Sequence, residues 1–209
     1  MPEYSQIQTY LKCDQSNIKE ILLDFIAALN EIGIYENKII SAFNRLEWDI
    51  AEDGALSVTG GEETIELKIH GQQIHIRPFV MGWTLNSIKE LQQSWLEVSL
   101  LLWTEEITQS SFCNTVREEY RSTIWEFMNV FSRIFNQSGV YFTNEATDGR
   151  PWEAIIQAEP SGTWMFDAAI INDVLIYYYK EIDDNNFFSK NNETKLLIAR
   201  KDTWINEPW

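Results

Sequence analysis

The spacing of the apolar residues changes several times along this chain and constrains its fold more than any other feature. In two stretches apolar residues recur every three or four positions, as they do along one face of an α-helix. In two others they recur at every second position, as in β-strands. The sequence therefore predicts an α+β fold, with antiparallel β meanders packed on a central pair of amphipathic helices and with an N-terminal helix.

The N-terminal helix is predicted over residues 17–32. Asn17 is placed to cap it, Glu20 follows three residues later, and Gly33 is placed to end it. Its apolar stripe consists of Ile18, Ile21, Leu22, Phe25, Ile26 and Leu29. A shorter helical pattern follows over residues 39–46 and gives way to period-two spacing.

The best-specified β-hairpin joins residues 65–70 to residues 73–77 through Gly71 and Gln72. A two-residue loop that begins with glycine suits a type II′ turn. The resulting register sets Ile69 opposite Ile74, Leu67 opposite Ile76, Glu66 opposite Arg77, and Lys68 opposite His75. Every pair is then apolar with apolar, acid with base, or polar with polar, and turn signals upstream extend the hairpin to a meander of three or four strands.

Residues 84–138 are predicted to form the central helical block. A capping box begins at Ser87, and it is followed by apolar residues three or four positions apart: Ile88, Leu91, Trp95, Val98 and Leu102. A second helical stripe runs over residues 112–134. No Gly or Pro lies between Glu105 and Ser111, so an antiparallel helix hairpin and one long bent helix both remain open.

The last third of the chain again has the character of β-structure. Strands are predicted at 140–143, 152–159, 163–171, 174–180 and 195–200, although Pro151 would also suit a helix over 152–157. Residues 181–194 form the most polar and loop-like stretch. Because no linker or repeat divides the chain, we expect a single domain over residues 1–209, with sub-structures at 1–83, 84–138 and 139–209.

The charge of the chain bears on its partners. There are 16 Lys and Arg residues against 32 Asp and Glu residues, a net charge of −16, and the excess of acids is the same in both halves. Evenly spread negative charge repels the phosphate backbone of nucleic acids, which need clustered basic residues. The charge therefore argues against nucleic acid and against membranes as partners, and it permits a basic protein partner.

Targeting signals and cysteine chemistry give the expected compartment. The N-terminal residues carry neither a basic nor an apolar leader pattern, and the longest apolar runs are too short to cross a membrane. Cys13 and Cys113 have no metal-ligand spacing and no disulfide framework, so both are expected to be reduced. Together these features predict a cytoplasmic protein.

No pattern in the sequence identifies catalytic residues, a cofactor or a metal site. The two histidines, His70 and His75, lack a third ligand at suitable spacing. Glu66-Leu67-Lys68, with Asp53 upstream, superficially matches the acidic and lysine residues of restriction-type nucleases. Such a tripeptide is expected by chance, and Arg77 opposite Glu66 explains the acid, so a solvated sheet face is the preferred interpretation.

The predicted partner-binding residues are Asp183, Asp184, Trp204 and Trp209. The two aspartates lie in the polar stretch 181–194, and the two tryptophans lie in the C-terminal segment 202–209. Aromatic residues in a terminal segment indicate docking, either onto the body of the protein or onto a partner.

These features favour a non-enzymatic interaction protein of the inhibitor, immunity or chaperone type, which covers a basic partner with an acidic surface and aromatic anchors. The alternative is a small-molecule-binding protein or an enzyme with an aromatic-lined pocket between sheet and helices. A deep pocket with converging polar groups would favour the alternative, and binding that weakens with salt would favour the interaction protein.

Overall fold

The computed structural model describes residues 3–48, 59–60, 63–69, 71–110, 113–192 and 194–209. Its strands are β1 (Tyr4–Lys12), β2 (Thr59–Gly60), β3 (Ile65–Ile69), β4 (Gln72–Trp83), β5 (Trp95–Trp103), β6 (Thr108–Ser110), β7 (Cys113–Val116), β8 (Val140–Asn144), β9 (Ala168–Asn172), β10 (Phe187–Asn191) and β11 (Lys195–Arg200). Its α-helices are α1 (Ile18–Glu31), α2 (Asn37–Arg45), α3 (Thr104–Ile107), α4 (Glu118–Ile134), α5 (Arg150–Ile156) and α6 (Lys201–Trp204). Residues Asp173–Tyr179 form a 3₁₀-helix.

One large antiparallel sheet organises the described residues. Its strand order is β10-β11-β9-β8-β1-β5-β4-β2, and β3 pairs with β4 as well. The short strands β6 and β7 form a separate hairpin. Strand β1 lies near the middle, where it pairs with β5 along its whole length and with β8 from Ser5 to Gln8. The first strand of the chain thus connects the two halves of the sheet.

The two faces of the sheet bury different sets of residues. The main core includes alternate residues of the central strands together with the buried faces of α1 and α4. Two smaller cores contain residues from the other face of the sheet. On β1, Ile7 and Leu11 lie in the main core while Tyr10 lies in a smaller one. Phe25 of α1 joins the helices together, since its ring makes edge contacts with Phe43 at 5.0 Å and with Phe131 at 6.0 Å.

The α+β class is confirmed, with a large antiparallel sheet and several helices. Helix α1 occupies the stretch in which the first helix was predicted, but the sequence analysis missed β1, which precedes it. Strand β1 is buried on both faces although it carries the polar residues Gln6, Gln8 and Thr9. These polar residues interrupt the apolar pattern by which a strand is recognised in a sequence. The described chain therefore begins with a strand rather than a helix.

The predicted helical block 84–138 is wrong in its first half. Residues Trp95–Trp103 form strand β5, and α4 is the single long helix of this block. The block is thus neither a helix hairpin nor one bent helix, and it supplies no central pair of helices. The main-core residues of β5, Leu96, Val98, Leu100 and Leu102, do alternate at period two. The helical prediction arose because β5 is buried on both faces, and apolar residues of the second face such as Trp95 also fit spacings of three and four.

The predicted hairpin exists, but its register is shifted by two residues. Strands β3 and β4 set Ile65 opposite Ile76, Glu66 opposite His75, and Leu67 opposite Ile74. Because side chains alternate between faces, a shift of two keeps each residue on its face and changes only its partner. Gly71 has a φ of +85°, which suits a tight turn, and His70 lies outside the described residues.

The last third combines confirmed strands with two corrections. Strands β8 and β11 lie at the predicted positions, and the helical alternative for residues 152–157 is the one found, since α5 begins at Arg150 with Pro151 in its first turn. The predicted strand 174–180 is instead the 3₁₀-helix, and β10 lies within the stretch predicted as a loop. The strand predicted at 163–171 is the shorter strand β9, which begins at Ala168 and ends at Asn172. Strand β10 pairs with β11, the next strand in the chain, so a local hairpin lies in a stretch whose polar residues predicted a loop.

The central position of β5 predicts a large effect of truncating its core residues. Leu100 is fully buried, whereas Leu23 on α1 is 60% exposed. We expect Leu100→Ala to lower the free energy of unfolding by roughly 2–5 kcal/mol because it leaves a cavity in the main core. Leu23→Ala is the control and should change it by less than about 0.5 kcal/mol. Equal effects in chemical denaturation would contradict the placement of β5.

Candidate functional site

An open cavity with a volume of about 400 Å³ lies between the C-terminal end of α5 and the 3₁₀-helix. We call it the tyrosine groove and define it by Glu159, Trp164, Tyr177, Tyr178 and Glu181. Its aromatic side chains remain accessible, since Tyr177 is 67% exposed and Tyr178 is 43% exposed. The groove therefore presents aromatic surface to solvent and carries acidic groups on its lining.

The geometry of the 3₁₀-helix explains why these tyrosines point outward. Residues three apart stack on one side of such a helix, so Val174 and Tyr177 share its exposed side. Tyr179 faces the protein and is buried, and its hydroxyl donates to the hydroxyl of Tyr141 at 3.2 Å. Trp164 contacts the Tyr179 ring edge-on at 5.3 Å. Tyr179 and its contacts with Tyr141 and Trp164 thus support the exposed tyrosines of the same 3₁₀-helix from the protein side.

The opposite side of the groove is shaped by a tight corner after α5. Ala158 has a φ of +53°, a left-handed conformation that is unusual for a residue with a side chain. Gly162 packs so closely against α5 that an added Cβ would lie 2.8 Å from the Cβ of Ala154. Only glycine allows the backbone to approach α5 this closely. The turn that carries Glu159 therefore depends on close packing against α5.

The electrostatic character of the groove is acidic. Glu159 and Glu181 line it, and Asp173, Asp183 and Asp184 are exposed on the adjoining 3₁₀-helix and loop. Among the described residues that line it, the one basic residue is Lys180, whose Nζ lies 4.4 Å from the centroid of the Tyr177 ring. An ammonium group thus already occupies one aromatic face.

The predicted residues Asp183 and Asp184 lie beyond Glu181 on the loop that leads to β10. The carboxylate of Asp183 accepts the backbone N–H of Asn185 at 3.0 Å and the side-chain amide of Asn186 at 2.6 Å. These hydrogen bonds lower the pKa of Asp183 and close a local turn. The carbonyl of Asp184 accepts a hydrogen bond from Lys201, and its side chain faces solvent.

The C-terminal tryptophans contact the body of the protein. Trp204 is fully buried, its indole N–H donates to the carbonyl of Asp167 at 2.9 Å, and its ring meets Phe142 edge-on at 5.8 Å. Trp209 is partly buried and lies 5.6 Å from Trp125 on α4. In this conformation Trp204 is therefore a core residue that a partner cannot reach, while part of Trp209 remains accessible.

Sequence reasoning missed a buried acid on the face of the sheet opposite to the main core. Glu97 is 2% exposed, and its carboxyl accepts a hydrogen bond from the Trp83 indole at 3.2 Å. Burial, and secondly the negative charge of Asp148, raise the pKa of Glu97 to about 8. Nearby, Tyr10 and Trp152 stack at 4.3 Å and leave no gap for a ligand between their rings. The sequence signal that could have identified Glu97 is an acid among the mostly apolar residues of Trp95–Trp103.

His75 belongs to a second polar cluster, at the junction of β4 and α3. Its Nδ1 lies 3.0 Å from Glu106, its Nε2 lies 3.8 Å from Glu66, and its ring stacks on Trp103 at 4.0 Å. The partner of Glu66 is thus His75 and not Arg77 as predicted. Asp53, the other acid of the nuclease-like pattern, lies outside the described residues.

Within the described part of the chain, no group of three or more His, Cys, Asp and Glu side chains is arranged to hold a metal ion. None of the helices in that part is both long enough and apolar enough to cross a membrane. Comparison with known proteins finds no matching family model, no similar curated protein and no similar solved structure.

The raised pKa of Glu97 predicts how stability depends on pH. The folded protein holds the Glu97 proton more tightly than the unfolded chain does, so this contribution to the free energy of unfolding is present in acid and is lost as the pH rises toward 8. Glu97→Gln keeps a neutral side chain of the same shape. We expect it to raise the free energy of unfolding at pH 8 by up to about 4 kcal/mol relative to the unsubstituted protein, measured by chemical denaturation.

Glu20→Gln, on the exposed face of α1, is the matched control for the loss of one charge. It should leave the pH dependence nearly unchanged. If Glu97→Gln behaves like this control across the same pH range, the carboxyl of Glu97 is not held neutral by the fold.

Proposed function

We propose that this protein is a non-enzymatic interaction protein, of the inhibitor, immunity or chaperone type, that binds a basic segment of a partner protein in the tyrosine groove. The observation that carries the proposal is the combination of exposed aromatic rings with two acids, Glu159 and Glu181, in the lining of one open cavity of about 400 Å³. Aromatic residues supply affinity at protein interfaces, and charge complementarity supplies association rate and specificity.

The exposure of the aromatic residues is the first support. Tyr177 and Tyr178 lie 5.3 Å apart and, together with Val174, form an apolar surface on one short helix. Large exposed apolar side chains cost free energy when they remain in water, and contiguous ones mark interaction sites. Tyrosine suits this role because its ring buries a large area at a small cost in side-chain entropy.

The charge around the groove gives the chemistry of the partner. Among the residues of the 3₁₀-helix and the following loop, up to residue 186, four acids stand against the single base Lys180: Asp173, Glu181, Asp183 and Asp184. Glu159 adds a further acid from the other wall. A partner that presents lysine or arginine would approach with favourable electrostatics, and a second acidic molecule would be repelled.

Lys180 shows how a cation can be held here. Its ammonium group lies over the Tyr177 ring at a distance typical of a cation–π contact. We infer that this lysine occupies the place of the partner's cation when the groove is empty. Binding would then exchange one cation for another on the same ring, and Lys180 would compete with the partner.

The tyrosines can be tested by replacement. We expect the double variant Tyr177→Ala/Tyr178→Ala to bind a fluorescent peptide of alternating lysine and glycine about tenfold more weakly than the unsubstituted protein, measured by fluorescence anisotropy. Tyr35→Ala is the matched control, because Tyr35 is 68% exposed between α1 and α2. The corresponding glutamate and glycine peptide should not bind, and added salt should weaken the lysine peptide mainly through its association rate. Equal binding by the double variant and the control would refute the groove as the site.

Replacement of Lys180 is an independent test, in which we expect the affinity for the peptide to rise and not to fall. We expect Lys180→Met to increase the affinity for the same peptide by about threefold, because the substitution frees the Tyr177 ring and removes a repelling charge. Lys190→Met, which removes an exposed charge from β10, is the matched control. If both substitutions raise the affinity equally, only net charge matters and Lys180 does not occupy the cation site.

A further inference from the structure

A second cavity, of about 200 Å³, lies where the ends of β8 and β11 meet α6. Apart from Phe166, its lining consists of polar and charged residues: Asn114, Asn144, Thr147, Asp167, Arg200, Asp202 and Thr203. It shares no lining residue with the tyrosine groove. Polar side chains from four separated stretches of the chain thus converge on one small space.

Asp167 is the buried residue around which this cavity is arranged. Its side chain is 10% exposed. One carboxylate oxygen accepts the Thr203 hydroxyl at 3.1 Å, and the other accepts the Asn144 amide at a long 3.4 Å. A buried carboxylate can accept about four hydrogen bonds, so this one has unused capacity toward the cavity.

The neighbouring cation does not fill that capacity. The Nε of Arg200 lies 3.7 Å from the Asp167 carboxylate and donates instead to the carbonyl of Phe166, while its Nη2 donates to the carbonyl of Trp164. Arg200 therefore holds the loop in place and forms an ion pair with the carboxylate, but it donates no hydrogen bond to it. A ligand with its own N–H groups would supply the missing donors.

We propose that this cavity binds a small aliphatic amine, whose ammonium group donates hydrogen bonds to the Asp167 carboxylate. The exposed carboxylate of Asp202 at the rim adds a second acceptor, which suits a molecule with an amine at each end. The volume corresponds to about six or seven water molecules, which is enough for a short aliphatic chain. The amides of Asn114 and Asn144 flank the site.

Protonation of Asp167 gives the site a distinctive pH dependence. Burial raises its pKa to about 6, against the opposing effects of Thr203, Arg200 and Asn144, and the charge of Asp202 raises it further. Arg200 and Asp202 are the charged groups that face it. Binding of an amine should therefore be full above this pH and be lost as the pH falls through about 6, a range in which ordinary surface carboxylates remain ionised.

The test uses putrescine as the probe and butanediol, its neutral counterpart of equal chain length, as the control ligand. In a nuclear magnetic resonance titration of the full chain, putrescine should shift the side-chain amide signals of Asn114 and Asn144 in a saturable manner, and butanediol should not. Shifts that are spread over the acidic surface and do not saturate would overturn the proposal. So would equal binding of butanediol.

Variants separate the site from the general acidity of the protein. Asp167→Asn should weaken putrescine binding by about tenfold or more, since it removes a charge-assisted hydrogen bond, whereas Asp24→Asn on the exposed face of α1 should not. If Asp167→Asn does not fold, Asp202→Asn and the pH titration of the unsubstituted protein decide the matter. Binding that is unaffected by Asp202→Asn and by a fall in pH through 6 would refute the site.

Because the groove and the cavity share no lining residue, failure of this test leaves the proposed function standing, and failure of the peptide-binding test leaves the amine site standing.

Discussion

The pairing of β1 with β5 on one side and with β8 on the other is the interaction on which the rest of the structure depends. It joins two groups of strands that are far apart in sequence and makes them one sheet. Side chains reinforce it across long separations: the Gln8 amide donates to Thr143 at 2.7 Å, and the Thr9 hydroxyl donates to the carbonyl of Gly139 at 2.7 Å. Because β1 is buried on both faces, each of its polar side chains needs such a partner, and the partners fix the register.

The two faces of this sheet have different chemistry. The main core is an apolar layer against α1 and α4, in which aromatic and aliphatic residues contact one another closely. The opposite face holds Tyr10, Glu97 and Trp152 in a smaller, more polar core. A carboxyl placed there avoids the cost of a buried charge by keeping its proton, and burial accordingly raises its pKa. Burial thus raises the pKa of acids inside this protein by different amounts, to about 8 for Glu97 and to about 6 for Asp167.

Both proposed sites lie in the last third of the chain, where short irregular segments connect the strands. Trp164 lines the tyrosine groove and Asp167, three residues later, lines the polar cavity. Arg200 holds the backbone between them through two carbonyl groups. A rigid sheet that supports loops of this kind is a common way to position binding residues, because the strands fix the ends of each loop while its side chains stay accessible.

The sequence by itself determined the α+β class, the positions of helix α1 and strands β8 and β11, and the acidic surface, because periodicity, turn residues and charge are local properties. It also indicated a binding role for the loop with Asp183 and Asp184, which adjoins the tyrosine groove, and this role stays a prediction. Only the tertiary structure decided that residues 95–103 are a strand, that Trp204 is a core residue, and that Tyr177, Trp164 and Glu159 surround one cavity. Strand pairing and burial on both faces depend on residues distant in the chain, so the local pattern of residues 95–103 fits both a helix and a strand.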